Sequence, residues 1–343
     1  MDSETVLITI TQERSTFPVF LGDGAVLVEI PSFLEWQGTG QGEAVFSLKE
    51  RIQGRILQGS LVFCKDMRRY TLPIVLRKKY EDTSKEGTAL FPEDGYTIPL
   101  RLESLLENET LLLGTGDFRL GGAFSIVNPV NVAGVSSEAT FLESDGAVVR
   151  IGGKGRKVFS GITFRSRSLS KGNVVVVQSG EVLFRDCRFT GGLPEKVGWM
   201  GNGLVITGSS RVTLERCSLF RNKSCGMIVN KGARVLFTQS RIFSNGREGI
   251  AVGRDGSVVC RGSHVYENSW GVSAGGGSAV ELTGNFIEDN RLGGLLFSAL
   301  AEGTVRGNRV WNNQVGVYCH PQTQIVFDEN DLQNNACDFL RQE

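Results

Sequence analysis

The chain has 343 residues, with 37 Lys+Arg against 37 Asp+Glu and no formal net charge, so it offers no basic footprint for nucleic acid or an anionic membrane surface. Glycine is frequent, 44 residues against 8 prolines, and hydrophobic residues make up 40%, which argues against a disordered chain and suits short buried strands joined by many tight turns. No apolar run approaches the roughly 18 residues of a membrane span. The start, MDSETVLITITQ, has acidic residues where an export signal has basic ones, and a cytoplasmic location is expected. The 7 cysteines are an odd number without C-x-x-C spacing, so neither a zinc site nor a disulfide framework is indicated, and no metal or cofactor is expected.

Residues 1–86 contain β-rich runs, VLI (6–8), AVLV (25–28), LVFC (61–64) and IVL (74–76), but no period, and they end in the charged stretch RKKYEDTSKEG. A solenoid needs its open end covered. This stretch is therefore expected to be an N-terminal β-rich cap or a small separate domain, with the repeat occupying 87–343. The glycine-rich GTGQGE (38–43) and GGKGRK (152–157) match neither a P-loop nor a dinucleotide fingerprint and read as turns.

Self-similarity appears further on. The segments RDCRFTGG, ERCSLFRN, TQSRIFSN, RGSHVYEN, TGNFIEDN, RGNRVWNN and DENDLQNN align on Phe189, Leu219, Ile242, Val265, Ile287, Val310 and Leu332, at intervals of 30, 23, 23, 22, 23 and 22. No helix-period segment lies between these strands. A parallel pairing must then return through further strands and turns, which makes each repeat a coil. A second apolar run (Met227–Val229, Ile250–Val252, Leu295–Phe297) and a third alternating one (Val235/Phe237, Val280/Leu282, Ile325/Phe327) give three strands per coil. The fold class is all-β, a parallel β-helix.

Two polar columns accompany the period: Cys187, Cys217, Ser240, Ser263, Asn285, Asn308, Asn330, and Asn222, Asn245, Asn268, Asn290, Asn313, Asn335, with Gly192 heading the second. At an inter-strand spacing of about 4.8 Å, stacked amides can hydrogen-bond along the axis, and asparagine tolerates the left-handed backbone of a sharp bend. Glycines follow at Gly226, Gly249, Gly271, Gly294 and Gly316, where positive φ is expected.

These N-x-x-x-G-[IV] turns after an apolar strand resemble the right-handed parallel β-helix repeat of the pectin-lyase-like superfamily, over roughly residues 88–337. FPEDGYTIPLRL (91–102) is similar to that family's entry into the first coil. The resemblance implies the fold and is nearly silent on function, because the superfamily holds enzymes and non-enzymatic scaffolds alike. The polygalacturonase-type and pectate-lyase-type catalytic motifs are missing. Gly114-Thr-Gly-Asp117-Phe118 resembles one pectin methylesterase motif but lacks its companions.

Period-two alternation places two columns on the solvent side of one sheet. One is Arg188, Ser218, Arg241, His264, Phe286, Arg309, Asp331. The other is Thr190, Phe220, Phe243, Tyr266, Glu288, Trp311, Gln333. The interval of 30 places an inserted loop at 191–202, carrying Trp199 and Met200.

From these residues the candidate binding surface is Trp199, Phe220, Arg241, Phe243, His264, Tyr266, Glu288, Arg309 and Trp311; no residue is assigned a catalytic role. The leading expectation is a non-enzymatic intracellular scaffold presenting this surface to a protein partner, in the style of the β-helical parts of F-box proteins and spindle-associated Shc-binding adaptors. The alternative is a carbohydrate-binding or carbohydrate-active β-helix. It would use aromatic faces to stack sugar rings beside a carboxylate, a histidine and arginines. Neither a nucleic acid nor a membrane is expected as a partner.

Overall fold

The computed structural model describes strand backbone between residues 6 and 78, and it describes side chains from Leu90 to Arg341 except 93–97, 99–100, 103–104, 106–108, 121, 168–171 and 194–199. Contacts divide the chain into two units, Met1–Glu86 and Gly87–Glu343. In the first, Val6–Ile10 pairs parallel with Arg68–Lys78, which continues antiparallel to Ile56–Lys65 and then Val26–Glu29. A separate three-stranded antiparallel sheet joins Thr16–Phe20, Glu43–Leu48 and Leu34–Gly40. Within GTGQGE, Gly40 pairs with Glu43 across a hairpin, and residues 38–40 belong to the strand rather than the turn.

The second unit is a solenoid of three parallel sheets, each with 10 strands. Sheet I runs from Thr110–Leu113 to Gln324–Asp328, sheet II from Gly116–Arg119 to Asp331–Gln333, and sheet III from Phe124–Ile126 to Cys337–Arg341. Each coil visits I, II and III once, as the three apolar runs per period require. The inward residues of sheet II are Phe118, Leu142, Phe164, Phe189, Leu219, Ile242, Val265, Ile287 and Val310, all buried, and Leu332 in the last strand, half-buried. The early coils are filled by phenylalanines. Phe159 stacks on Phe184 at 5.3 Å and Phe164 on Phe189 at 5.3 Å, with edge contacts between the two pairs. Each such ring contributes about 1.5–3 kcal/mol by burial.

Both polar columns are ladders. Asn222 Nδ2 donates to Asn245 Oδ1 at 3.0 Å, Asn245 to Asn268 at 3.0 Å, Asn268 to Asn290 at 3.2 Å, Asn290 to Asn313 at 3.1 Å and Asn313 to Asn335 at 3.1 Å. In the other column the acceptor grades from amide to hydroxyl. Ser263 N donates to Asn285 Oδ1, Ser240 N to Ser263 Oγ, and Cys217 N to Ser240 Oγ. The ladders thus satisfy turn N–H groups that no strand ladder reaches. At the last coil Asn335 Nδ2 turns to Asp338 Oδ1 at 2.9 Å, so a carboxylate ends the column.

Two details differ from expectation. Positive φ belongs not to the ladder asparagines but to the residues before them: Arg221, Ser244, Glu267, Asp289, Asn312 and Asn334. Nor do Gly226, Gly249, Gly271, Gly294 and Gly316 have positive φ. Their lack of a side chain serves close approach instead: a Cβ on Gly249 would stand 2.7 Å from Gly271 O and 3.0 Å from Asn268 Nδ2. Glycine is required there because successive coils and the ladder amides converge on one spot.

Lys157 lies in sheet I between Val130 and Val182, pointing inward with 0% exposure. GGKGRK therefore ends in strand rather than turn. Its Nζ folds back onto the carbonyls of Gly153, Lys154 and Gly155 at 3.4, 3.0 and 3.3 Å, and burial pushes its pKa below 10.5. The native state accordingly binds fewer protons than the unfolded chain between that lowered value and 10.5. Stability contributed at this site should rise with pH across the window and be least below it. Calorimetry of the wild type and Lys157→Met is expected to show a smaller alkaline gain in Tm for the variant; equal gains would exclude Lys157 as the source.

Candidate functional site

Sheet II presents its outward columns as the alternation required. In four consecutive coils one column reads Arg241, His264, Phe286, Arg309 and the other Phe243, Tyr266, Glu288, Trp311. Ser218, earlier in the first column, is buried rather than solvent-facing.

The aromatic column is built differently from a row of open sugar platforms. Phe220 and Phe243 stack at 5.0 Å and 3°, and Phe243 and Tyr266 at 5.0 Å and 2°. Each ring therefore covers its neighbour's face, and the three are only half-exposed. Strand spacing sets this distance, so in-register aromatics spend their faces on each other. The most exposed ring of the strip is Phe286, at 43%. Arg309 Cζ lies 5.3 Å from its centroid and 5.2 Å from that of Trp311, a cation–π bracket.

His264 Nε2 lies 2.8 Å from Glu288 Oε1, while its ring tilts against Tyr266 at 4.2 Å. The carboxylate thus fixes the orientation of the imidazole. Burial, the largest influence, holds the Tyr266 phenol above its ordinary pKa, with Arg241 opposing and Glu267 reinforcing the shift. It is accordingly a neutral hydrogen-bonding group at neutral pH. Arg241 and Arg309 have no carboxylate partner among the described residues.

The remaining candidates separate from this strip. Trp199 lies outside the described residues, though neighbouring Met200 is exposed. Asp117 is engaged by Arg165 at 3.1 Å; the same guanidinium pairs with Glu143 and covers the Phe141 ring at 4.5 Å. It is part of an ion network, and Phe118 beside it is core. Glu267 accepts a hydrogen bond from Ser244 Oγ at 2.5 Å. Among the described residues no group of three or more His, Cys, Asp or Glu is gathered as metal ligands would be. The six described cysteines are free, and burial pushes Cys187, Cys225 and Cys260 up to about 12, so these thiols fill space rather than react.

Alternation places Phe286 in the outward column, but it is not among the candidate residues, because register alone does not reveal which rings stay exposed. Sequence reasoning also missed Lys157, although the alternation of Lys157 and Phe159 about Val158 was a legible inward signal.

A parallel β-solenoid with a charged and aromatic outward strip defines the class. The family profile of the right-handed β-helix region matches residues 130–279 and 229–340, and the chain belongs to that family. No curated protein matches the sequence. Among solved structures, the chain is similar to the A-module of the Azotobacter vinelandii mannuronan C-5 epimerase AlgE4 (14% identity, 68% of this chain and 89% of that one, TM-score 0.45). It is similar also to the catalytic domain of a GH87 α-1,3-glucanase in complex with tetrasaccharides (7% identity, 88% and 75%, TM-score 0.46). A third is a mutant of the PL6 family alginate lyase AlyGC (12% identity, 70% and 40%, TM-score 0.38). The likeness is one of fold.

These neighbours are carbohydrate-active enzymes, and the expectation of a non-enzymatic interaction scaffold in the style of F-box or Shc-binding adaptors is corrected accordingly. The geometry supplies the physical reason. The surface expected to act as an apolar hot spot has its aromatic faces already stacked within the chain, leaving a polar strip with one exposed ring.

Proposed function

We propose that the outward strip of sheet II from Arg241 to Trp311 binds a carbohydrate chain. The observation that supports this reading is the juxtaposition, in four consecutive coils, of the exposed Phe286 ring, flanked by the Arg309 guanidinium, with the oriented His264–Glu288 pair and two guanidiniums free of carboxylates. A sugar ring offers an apolar face to an aromatic and hydroxyls to charged groups, and each element has its counterpart here. The repeat spacing aligns the strip with the solenoid axis, which suits an extended oligosaccharide. Residues 1–86 are assigned no part in it.

Isothermal titration of the full chain with oligosaccharides of polygalacturonate, alginate and α-1,3-glucan is expected to find a saturable ligand. Phe286→Ala with Arg309→Ala should weaken it by about tenfold or more, since a lost stacking and charged contact exceeds 1.4 kcal/mol, with little change in Tm because both side chains are exposed. Unchanged affinity in the double variant, or no binding across the panel, would overturn the reading. The 2.8 Å His264–Glu288 contact also favours proton transfer as a second role. Turnover of a bound ligand that disappears in Glu288→Gln would establish it.

A further inference from the structure

A shallow, open recess of about 500 Å³ with mixed polar and apolar lining lies on the turns from sheet I to sheet II in the early coils, apart from the strip. Its origin is a departure from the repeat. In the following coils this turn consists of residues 161–162, 186–187 and 216–217, whereas between Gly134 and Thr140 it is the longer loop 135–139. The loop is pinned at every point. Ser136 O accepts from Ala139 N and Thr140 N, Val135 N donates to Thr140 Oγ1 at 3.1 Å, and Thr163 Oγ1 donates to Ser137 O at 2.5 Å. Gly134 and Gly161 let the loop settle on the next coil: a Cβ on Gly134 would stand 2.4 Å from Gly161 O. Finally Glu138 reaches across the Thr163–Ser166 coil to Arg188, with Oε1 and Nη2 2.6 Å apart. This clasp forms one rim of a preformed hollow.

The lining chemistry is specific. Glu138 and Arg188 neutralise one another, and Asp186 is neutralised by Arg216, which donates through Nε and Nη2 at 2.8 Å each. The lining therefore favours neither sign of charge. The hydroxyls of Ser136, Ser137 and Ser160 make no hydrogen bond among the described residues and are not sealed from solvent. Among the described residues no aromatic side chain lines the hollow, so a ligand would be held at its edges by hydrogen bonds rather than by stacking. The volume falls within the range of small-ligand sites, about 300–1,000 Å³, but the lining is that of a site for a molecule with many hydroxyls, each both donor and acceptor.

We infer that this recess is a second binding site, taking a neutral polyhydroxy ring of monosaccharide size between the Glu138–Arg188 clasp and the serine hydroxyls. The ligand class rests on the saccharide reading above; the location does not. The two sites would divide the work, the strip receiving a chain and the recess a terminal or free sugar.

The full chain is titrated by calorimetry and saturation-transfer NMR with D-glucose, D-galactose, D-mannose and myo-inositol, with D-glucuronate as the charged comparison. Saturable binding of a neutral member is expected, weakened about tenfold or more by Glu138→Gln and by Ser160→Val. Glu138 is 76% exposed in its side chain, so its replacement leaves folding intact, and it leaves any chain bound on the strip in place. The Phe286→Ala, Arg309→Ala variant should still take up the sugar. No saturable neutral ligand, preference for glucuronate, or affinity unmoved by both recess substitutions overturns the proposal. Sugar binding lost only in the strip variant overturns the recess while leaving the strip standing.

Discussion

Asn268→Ala is expected to lower the unfolding free energy by about 3 kcal/mol, because each buried polar group left without a partner costs on the order of 1–3 kcal/mol. Asn268 is 0% exposed. Its Oδ1 accepts from Asn245 N at 3.1 Å and Asn245 Nδ2 at 3.0 Å, while its Nδ2 serves Asn290 Oδ1, Ile242 O and Tyr266 O. Alanine removes the acceptor of two buried donors in one coil and the donor to three acceptors around it, and the cavity it leaves is lined by backbone that cannot relax. Urea denaturation monitored by circular dichroism measures the loss, and amide exchange localises it to the turns of Asn245 and Asn268. Asn335→Ala should cost clearly less, since that residue is partly exposed and its amide already ends on the exposed Asp338. A loss below about 0.5 kcal/mol at Asn268, the range of an ordinary surface change, would sink the ladder account.

Gly271→Ala is expected to destabilise by about 3 kcal/mol, the upper end of the cost of overpacking. A Cβ there would stand 2.6 Å from Gly294 O, 2.7 Å from Ile287 Cγ2 and 3.1 Å from Asn290 Nδ2. The nearest obstacle is backbone of the next coil, which moves only if the coil stack itself opens. Gly284→Ala is the informative contrast. Its φ is +62, but nothing lies within 4 Å of the added methyl, and Asp186, Arg216 and Gln239 hold the same conformation at equivalent turns. Its cost should stay near the intrinsic left-handed penalty of about 1 kcal/mol. Thermal unfolding of the two variants side by side separates the mechanisms. Equal losses would mean that backbone conformation rather than coil contact governs both columns.

The sequence by itself determined the period, the three strands per coil and the membership of the polar columns, because all three follow from repetition. A residue recurring every 22 or 23 positions must recur at one place in the cross-section. Alternation likewise assigned Leu219 and Ile242 inward and Arg241 and Phe243 outward without reference to any partner. Tertiary structure decided what these positions do, for reasons that lie in distances periodicity does not encode. Strand spacing turned Phe220, Phe243 and Tyr266 from open platforms into a closed stack and left Phe286 as the exposed ring beside Arg309. Convergence of carbonyl and amide on Gly249 and Gly271 replaced a conformational reason for glycine with a steric one. The Glu138–Arg188 clasp arises where a turn departs from the repeat and a side chain meets a group two coils away, and the Nζ of the inward Lys157 is held by carbonyls of its own turn. Such contacts depend on the three-dimensional path of one particular turn, and only the folded chain sets that path.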